Sequence, residues 1–144
     1  MTLQPLDWDD ATILLTGGTG SFGKRFLERV LELHKPRAIR VFSRDELKQS
    51  ELAPFFRKHD NVRWFIGDVR DRDRLARAAE GADLIVHAAA MKQVPTCEYN
   101  PFEAAQTNVH GAENVVNVAL DLGVQSVIAL ATDKAANQIG RAHV

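Results

Sequence analysis

Residues 11–23 read ATILLTGGTGSFG, a strand-length apolar run followed directly by a glycine-rich turn. The run is continuous rather than alternating, which is typical of a parallel strand buried on both faces. Gly18, Gly20 and Gly23 fit the spacing G-x-G-x-x-G, and Gly17 completes the related spacing G-x-x-G-x-x-G. One glycine permits the tight turn, Gly20 lets backbone amides approach a pyrophosphate, and Gly23 allows close packing of the following helix. The stretch therefore favours a dinucleotide-binding unit over an ordinary turn.

Apolar runs and amphipathic stretches keep alternating along the rest of the chain. Apolar residues at helical spacing predict a first helix that ends before Pro36. Further strands are predicted at residues 38–42, 62–66, 84–87 and 127–131. Further helices are predicted at 45–58, with a kink or an early end at Pro54, after Asp71, and at 100–122. Strands separated by helices indicate a parallel sheet with right-handed crossovers. We therefore predict an α/β fold, a Rossmann-type doubly wound parallel sheet in the order 3-2-1-4-5.

Composition excludes several classes of protein. The chain has 144 residues, of which 45% are hydrophobic, and its 18 Lys and Arg against 19 Asp and Glu leave a net charge of -1. A nucleic-acid-binding domain normally shows a basic excess, so no nucleic-acid partner is expected. The single cysteine, Cys97, excludes an internal disulfide and a multi-cysteine metal site, and no metal is predicted. No apolar run approaches the ~20 residues of a membrane span, residues 1–10 are not a signal peptide, and a cytoplasmic location is expected.

The end of the second predicted strand bears on the choice of cofactor. A free ribose 2′-hydroxyl usually meets an acidic residue at this position, whereas a 2′-phosphate meets an arginine. Ser43 and Arg44 occupy the position here, so the sequence favours NADP over NAD. Arg44 could instead be a surface charge, and Asp45 could cap the next helix. Asp68, after the third strand, could lie beside the adenine or could cap the third helix.

Six segments resemble one branch of the extended short-chain dehydrogenase/reductase family, the inverting UDP-N-acetylglucosamine 4,6-dehydratases. The glycine-turn string TGGTGSFG alone is generic to the wider family, whereas SRDELKQSE and the pair of HAAAMKQVP with TDKAAN are specific. The segments lie at residues 16–24, 43–51, 65–71, 87–95, 98–101 and 131–137. The resemblance implies a bacterial lyase that acts on UDP-N-acetylglucosamine with NADP, at the first step of pseudaminic acid or related surface-glycan biosynthesis.

The resemblance also assigns roles to individual positions. It implies a catalytic segment of Thr132, Asp133 and Lys134 at the end of the fifth strand, and substrate contacts from Lys92, Thr132 and Asp133. Without it, Asp133 and Lys134 could equally form an exposed ion pair. The implied cofactor-binding residues are Gly17, Thr19, Gly20, Ser21, Phe22, Gly23, Ser43, Arg44, Asp45, Glu46, Leu47, Lys48, Asp68, Val69, Ala88 and Thr107.

The chain departs from the family pattern near its end. Gln138 stands where a proline is expected, residues 138–144 do not resemble the family, and no tyrosine follows Tyr99 for the expected Tyr-x-x-x-Lys pair. We therefore expect a lead at 1–10, an NADP-binding domain at 11–137, an atypical tail, and no C-terminal sugar-nucleotide domain. On this view the chain is an N-terminal fragment without turnover, and the intact parent forms a homo-oligomer.

Two other functions stay open at this point. One is a non-catalytic NADP-binding sensor module, and the other is a related UDP-sugar 4-epimerase. The Thr132-Asp133-Lys134 segment favours the dehydratase, because the fifth strand of the epimerases usually ends in serine. His87 is expected to be a hydrogen-bonded core histidine rather than a catalyst.

Overall fold

A computed structural model describes residues 5–89, 101–102 and 106–130. The strands are β1 (Thr12–Thr16), β2 (Ala38–Ser43), β3 (Val62–Ile66), β4 (Leu84–His87) and β5 (Ser126–Ala129). The helices are α1 (Ser21–Leu33), α2 (Glu46–Leu52), α3 (Arg72–Ala79) and α4 (Gly111–Leu122). A 3-10 turn (Ala53–Phe56) follows α2, and a π-helical turn (Gln106–His110) precedes α4.

The five strands form one parallel sheet in the order β3-β2-β1-β4-β5, which confirms the predicted fold class and strand order. Strand β1 lies at the centre and is buried along its whole length. Ile13 and Leu15 belong to a core on the α1 and α2 side of the sheet, and Leu14 belongs to a second core on the α3 and α4 side. The continuous apolar run is explained by these two cores, because each face of the strand packs against helices.

The ends of three elements can be compared with their predicted bounds. Helix α2 ends at Leu52, which confirms the early end at Pro54 rather than a helix that runs to residue 58, since Pro54 has no N–H to donate to the preceding turn and the chain tightens into the 3-10 turn. Strand β5 ends at Ala129 because it pairs residue for residue with the four-residue strand β4. In the helix expected over 100–122, residues 101–102 are helical, a π-helical turn directly precedes α4, and the predicted end at Leu122 is confirmed by Gly123, whose φ of 68° is that of a left-handed C-cap.

None of the helices in the described part of the chain has the length and apolarity that a membrane span requires.

Candidate functional site

A cleft of about 420 Å³ opens at the carboxyl ends of strands β1 to β4. This is the edge where open parallel sheets bind their ligands. Its walls come from the glycine turn, the ends of β2, β3 and β4, and the π-helical turn. The lining residues are Gly17, Thr19, Gly20, Ser21, Phe22, Phe42, Ser43, Arg44, Asp45, Lys48, Gly67, Asp68, Val69, Ala88, Ala89 and Thr107.

The glycine turn forms the floor of the cleft. The N–H of Gly17 donates to the carbonyl of Phe42 at 2.9 Å, which ties the turn to the end of β2. Helix α1 starts at Ser21, and its N-cap Gly20 supplies no side-chain hydrogen bond. The first amides of a helix lack partners within the helix, and together with the helix dipole they favour an anion. The floor of the cleft is therefore suited to phosphate groups.

Two glycines of the turn meet different physical limits. A Cβ on Gly20 would have no neighbour closer than 3.9 Å, so packing within the protein does not require glycine at this cleft-lining position. A Cβ on Gly23 would overlap the backbone carbonyl of Gly18, which lets α1 approach the turn only if residue 23 is glycine. Gly20 therefore keeps the cleft open, whereas Gly23 serves helix packing.

The end of β2 brings two cations and a capping carboxylate to the cleft. The side chain of Asp45 accepts a hydrogen bond from the N–H of Lys48 at 3.0 Å and so caps α2. Buried Gln49 donates from Nε2 to Ser43 Oγ and to the carbonyl of Phe65, both at 2.8 Å. These bonds hold the ends of β2 and β3 together beneath the side chains of Arg44 and Lys48.

The loop after β3 presents Asp68 to the same end of the cleft. Asp68 Oδ1 accepts from the N–H of Arg70 at 2.9 Å, and Oδ2 accepts from Arg70 Nε at 2.9 Å and Nη2 at 2.6 Å. Arg44 Nη1 lies 3.6 Å from the same Oδ2. Partial burial acts to raise the pKa of Asp68, but the hydrogen bonds and charge of Arg70, with the charge of Arg44, hold it below its ordinary value. Asp68 is therefore ionised at neutral pH.

Helix α4 fixes this loop from the other side. Asn114 Nδ2 donates to the carbonyl of Val69 at 2.9 Å and to that of Arg70 at 3.1 Å. A Cβ on Gly111 would lie 2.6 Å from Val69 Cγ2, so the helix and the loop approach closely. The position of Asp68 and Val69 therefore depends on a residue more than forty positions further along the chain.

The end of β4 is joined to β1 through one buried hydroxyl. Thr16 Oγ1 accepts from the N–H groups of Ala88 at 3.2 Å and Ala89 at 3.3 Å. The same hydroxyl lies 2.7 Å from His87 Nδ1, so the two buried side chains share a hydrogen bond. The interpretation of His87 as a hydrogen-bonded core histidine is confirmed, and the network places Ala88 and Ala89 in the cleft wall.

Thr107 lies in the cleft wall, on the π-helical turn. Its residue is 6% exposed, and among the described residues its Oγ1 is a buried side-chain oxygen with no hydrogen-bond partner. A buried hydroxyl without a partner costs free energy, so its presence beside a cleft points to a ligand that completes the bond. Single π-helical turns occur often at functional sites, which agrees with this interpretation.

The structure brings together most of the predicted cofactor-binding residues. Gly23, Glu46 and Leu47 do not line the cleft, because Gly23 packs inside the turn and Leu47 is 67% exposed on α2. Sequence reasoning missed Phe42 and Ala89, although each directly precedes or follows a predicted site residue, whereas Gly67 belongs to the segment expected beside the adenine. The predicted residues Lys92, Thr132, Asp133 and Lys134 lie outside the described residues.

Comparison with known proteins gives the family. Residues 13–141 match the family described as "Polysaccharide biosynthesis protein". The chain is 54% identical over 127 residues to the UDP-N-acetylglucosamine 4,6-dehydratase (inverting) of Campylobacter jejuni, covering 88% of this chain and 38% of that relative. It is 48% identical over 129 residues to the UDP-glucose 4-epimerase of Rickettsia typhi, covering 88% of this chain and 38% of that relative.

A solved structure extends the likeness to the fold. DesIV, the dTDP-glucose 4,6-dehydratase of Streptomyces venezuelae solved with NAD bound, superposes with a TM-score of 0.73 at 30% identity, covering 81% of this chain and 38% of that chain. The present chain thus spans about 38% of the length of the curated relatives it matches. The resemblance to the inverting dehydratases, predicted from short segments, is confirmed by these identities. Since the family match runs through most of the sequence, this chain belongs to the polysaccharide biosynthesis protein family.

Proposed function

We propose that the cleft binds a nicotinamide dinucleotide and prefers NADP to NAD. The observation that carries this proposal is that one cleft contains both an open glycine turn at the start of α1 and two cations. Arg44 follows β2, and Lys48 lies in the first turns of α2. The unpartnered hydroxyl of Thr107 supports a polar ligand in the same cleft. The solved relative DesIV, which carries NAD, supports the ligand class.

Different lining residues would contact different parts of the cofactor. The amides from Thr19 to Phe22 would hold the pyrophosphate, because they combine the helix start with an open Gly20. The segment from residue 43 to 48 would hold the 2′-phosphate, for which the Arg44 guanidinium offers charge-assisted hydrogen bonds. Asp68 and Val69 would meet the adenine, and Ala88 and Thr107 would complete the wall on the β4 side.

The cofactor preference is tested by replacing Arg44. Arg44→Ala should remove most of the preference for NADP over NAD, since a lost charge-assisted hydrogen bond costs about 1.5–3 kcal/mol. The dissociation constants of both cofactors would be measured by calorimetry. Arg29→Ala is the matched control, because Arg29 is an exposed arginine on α1 that pairs with Glu32 and does not line the cleft. Equal affinity of the unsubstituted chain for the two cofactors would contradict the assignment.

We further propose that the full-length protein that carries this sequence is a UDP-N-acetylglucosamine 4,6-dehydratase that inverts C5. The 54% identity to the Campylobacter jejuni dehydratase supports the reaction class. A nicotinamide cofactor held by the cleft residues would supply the redox chemistry, in which a hydride is removed from C4 of the sugar and later returned to C6. Once C4 is a ketone the C5 proton is acidic, so a base must remove it while an acid protonates the departing 6-hydroxyl.

We assign these proton transfers to the segment that follows β5. Lys134 would take the C5 proton, Asp133 would protonate the leaving hydroxyl, and Thr132 and Lys92 would contact the substrate. The N–H of Leu130, after β5, donates to the carbonyl of His87 at 3.0 Å, so the described chain reaches the cleft edge two positions before Thr132. The assignment is otherwise a carry-over from the dehydratase resemblance.

The reaction is tested with UDP-N-acetylglucosamine and NADP+ in heavy water. The full-length protein should release a 4-keto-6-deoxy sugar of the L-arabino configuration with deuterium at C5. Lys134→Ala should keep cofactor binding but lose deuterium uptake at C5, whereas the control Lys35→Ala, on the loop after α1, should keep both. Normal C5 exchange in Lys134→Ala would place the base elsewhere.

A second candidate function is a UDP-sugar 4-epimerase, which the 48% identity to the Rickettsia typhi epimerase favours. The two reactions differ in the mass of their products. An epimerase gives an isomer of its substrate, whereas a dehydratase gives a product lighter by one water molecule. Mass spectrometry of the product therefore separates them. We favour the dehydratase because Thr132-Asp133-Lys134 stands where the epimerases usually carry serine.

The reaction fits an early step in building a bacterial surface glycan. The family description, polysaccharide biosynthesis, supports this role, and pseudaminic acid or a related deoxy-aminosugar is the product class we propose. Sugar nucleotides are charged and do not cross membranes unaided, so we place the reaction in the cytoplasm. Deleting the gene should remove the deoxy-aminosugar from the surface glycan, and its persistence would contradict the role.

A further inference from the structure

The cation proposed for the 2′-phosphate has a carboxylate beside it. Arg44 Nη1 lies 3.6 Å from Asp68 Oδ2, and both residues line the cleft. Three hydrogen bonds from Arg70 fix the Asp68 carboxylate, whose side chain is 24% exposed, while the Arg44 side chain is 53% exposed. Arg44 is therefore the more exposed of the two partners, and Asp68 is held in place by Arg70.

This arrangement has opposite consequences for the two cofactor forms. A phosphate monoester carries about −1.5 to −2 charges near neutral pH, so it is repelled by Asp68 and must share Arg44 with it. A 2′-hydroxyl is neutral and can donate a hydrogen bond to a carboxylate, so it bears no such cost. Asp45 also lines the cleft, where its side chain caps α2 by accepting a hydrogen bond from the N–H of Lys48 at 3.0 Å.

We propose that Asp68 is a specificity-determining residue that weakens the preference of this cleft for the 2′-phosphorylated cofactor, by competing for Arg44 and by repelling the phosphate. The inference rests on the proposed function, since it requires that the cleft binds both NADP and NAD. Its consequence is a site that favours NADP but still accepts NAD, with the balance set by one carboxylate.

The test compares cofactor dissociation constants in variants of the whole chain. Asp68→Asn keeps the shape and removes the charge, so the preference for NADP should rise about two- to fivefold, mainly through tighter NADP binding. In an Arg44→Ala background the same substitution should have a smaller effect, because no guanidinium is left to compete for. Arg70→Lys keeps the positive charge but loses the two guanidinium hydrogen bonds that hold Asp68 Oδ2. Asp68 should then compete more strongly for Arg44, and the preference for NADP over NAD should fall.

Each outcome has a defined meaning. A preference that is unchanged or reduced in Asp68→Asn, with circular dichroism showing a folded chain, would overturn the inference. If Asp68→Asn does not fold, Arg70→Lys decides: a lower preference supports the inference, and an unchanged or higher one overturns it. If the unsubstituted chain binds neither cofactor, the proposed function fails, and if Arg44→Ala leaves the preference intact, the assignment of Arg44 fails.

Discussion

At the scale of single residues, the glycine turn separates a binding requirement from a folding requirement. Gly20 has φ −79° and ψ −179°, an extended conformation that alanine also adopts, and a Cβ there meets no close neighbour. Gly23 has no such space, because a Cβ would overlap the carbonyl of Gly18. The same chemical change at the two positions should therefore have different effects.

Gly20→Ala should leave the free energy of unfolding within about 1 kcal/mol of the original, but weaken cofactor binding at least tenfold, since Gly20 lines the cleft at the position proposed for the pyrophosphate. Gly23→Ala should lower the free energy of unfolding by about 1–3 kcal/mol, because α1 must move away from the turn. Urea denaturation measures the first quantity and calorimetric titration the second. Unweakened binding in Gly20→Ala would contradict the phosphate role of the turn.

Residue spacing in the sequence was enough to predict this turn, but not the surroundings of Arg44. Gly18, Gly20 and Gly23 lie within one local unit, so their roles follow from backbone geometry alone. The pairing of Arg44 with Asp68 joins residues 24 positions apart, and only the folded sheet brings them together. The sequence could therefore suggest a phosphate-binding arginine but not the carboxylate that competes with the phosphate.

At the scale of elements, the loop between β3 and α3 depends on α4. Asn114→Ala should leave the carbonyls of Val69 and Arg70 without their donor and weaken binding of both cofactors by about three- to tenfold, with a loss of about 1–2 kcal/mol in the free energy of unfolding. The control is Asn117→Ala, on the same helix, whose side chain has no hydrogen-bond partner among the residues described. If both variants bind the cofactors equally well, Asn114 does not position the loop.

The same loop should contribute to the pH dependence of stability. The pKa of Asp68 is lower in the folded protein than its ordinary value of 3.8, so its ionised form stabilises the fold above that pH. This contribution is lost as the pH falls through the lower, folded-state pKa. The difference in unfolding free energy between the original chain and Asp68→Asn should therefore be largest above pH 4 and shrink at lower pH, as measured by urea denaturation at several pH values.

The exposed Asp73 on α3 provides the comparison for this experiment. Its side chain has no hydrogen-bond partner in the described part of the chain, so Asp73→Asn removes a charge without breaking a charged contact. Equal pH dependence of the two variants would mean that the contacts with Arg70 and Arg44 do not stabilise the ionised form of Asp68.

Element types were predictable where apolar runs and breakers mark them, and less so where tertiary pairing sets the ends. The bounds of β3 and β4 match their apolar runs, and Asp45 and Asp71 cap the helices that follow them. The end of β5 is set instead by its pairing with the short β4. The π-helical turn at Gln106–His110 leaves no mark in the apolar spacing, because one widened turn shifts the following residues by a single position.

At the scale of the whole molecule, the sheet order brings four strand ends to one edge and so creates the cleft. Strand β1 lies between β2 and β4, so the connections that leave the ends of β1 and β4 run to opposite sides of the sheet and leave a crevice beside the glycine turn. Doubly wound sheets bind their ligands in this crevice. The fold could be predicted because strand and helix segments alternate along the sequence, and the crossovers between parallel strands are right-handed as a rule. The substrate side could not be derived in the same way, since its proposed residues rest on the dehydratase resemblance alone.

An NMR titration of the ¹⁵N-labelled chain with NADP+ tests most directly whether the cleft is the dinucleotide site. We expect saturable chemical-shift changes of backbone amides that are confined to the cleft: the glycine turn from Gly17 to Phe22, residues 43–48, Asp68, Val69, Ala88 and Thr107. The chemical shifts of amides on the outer face of α3 and at the start of β5 should not change. Absence of saturable shifts, or shifts centred on those outer surfaces, would contradict the assignment of this cleft as the dinucleotide site.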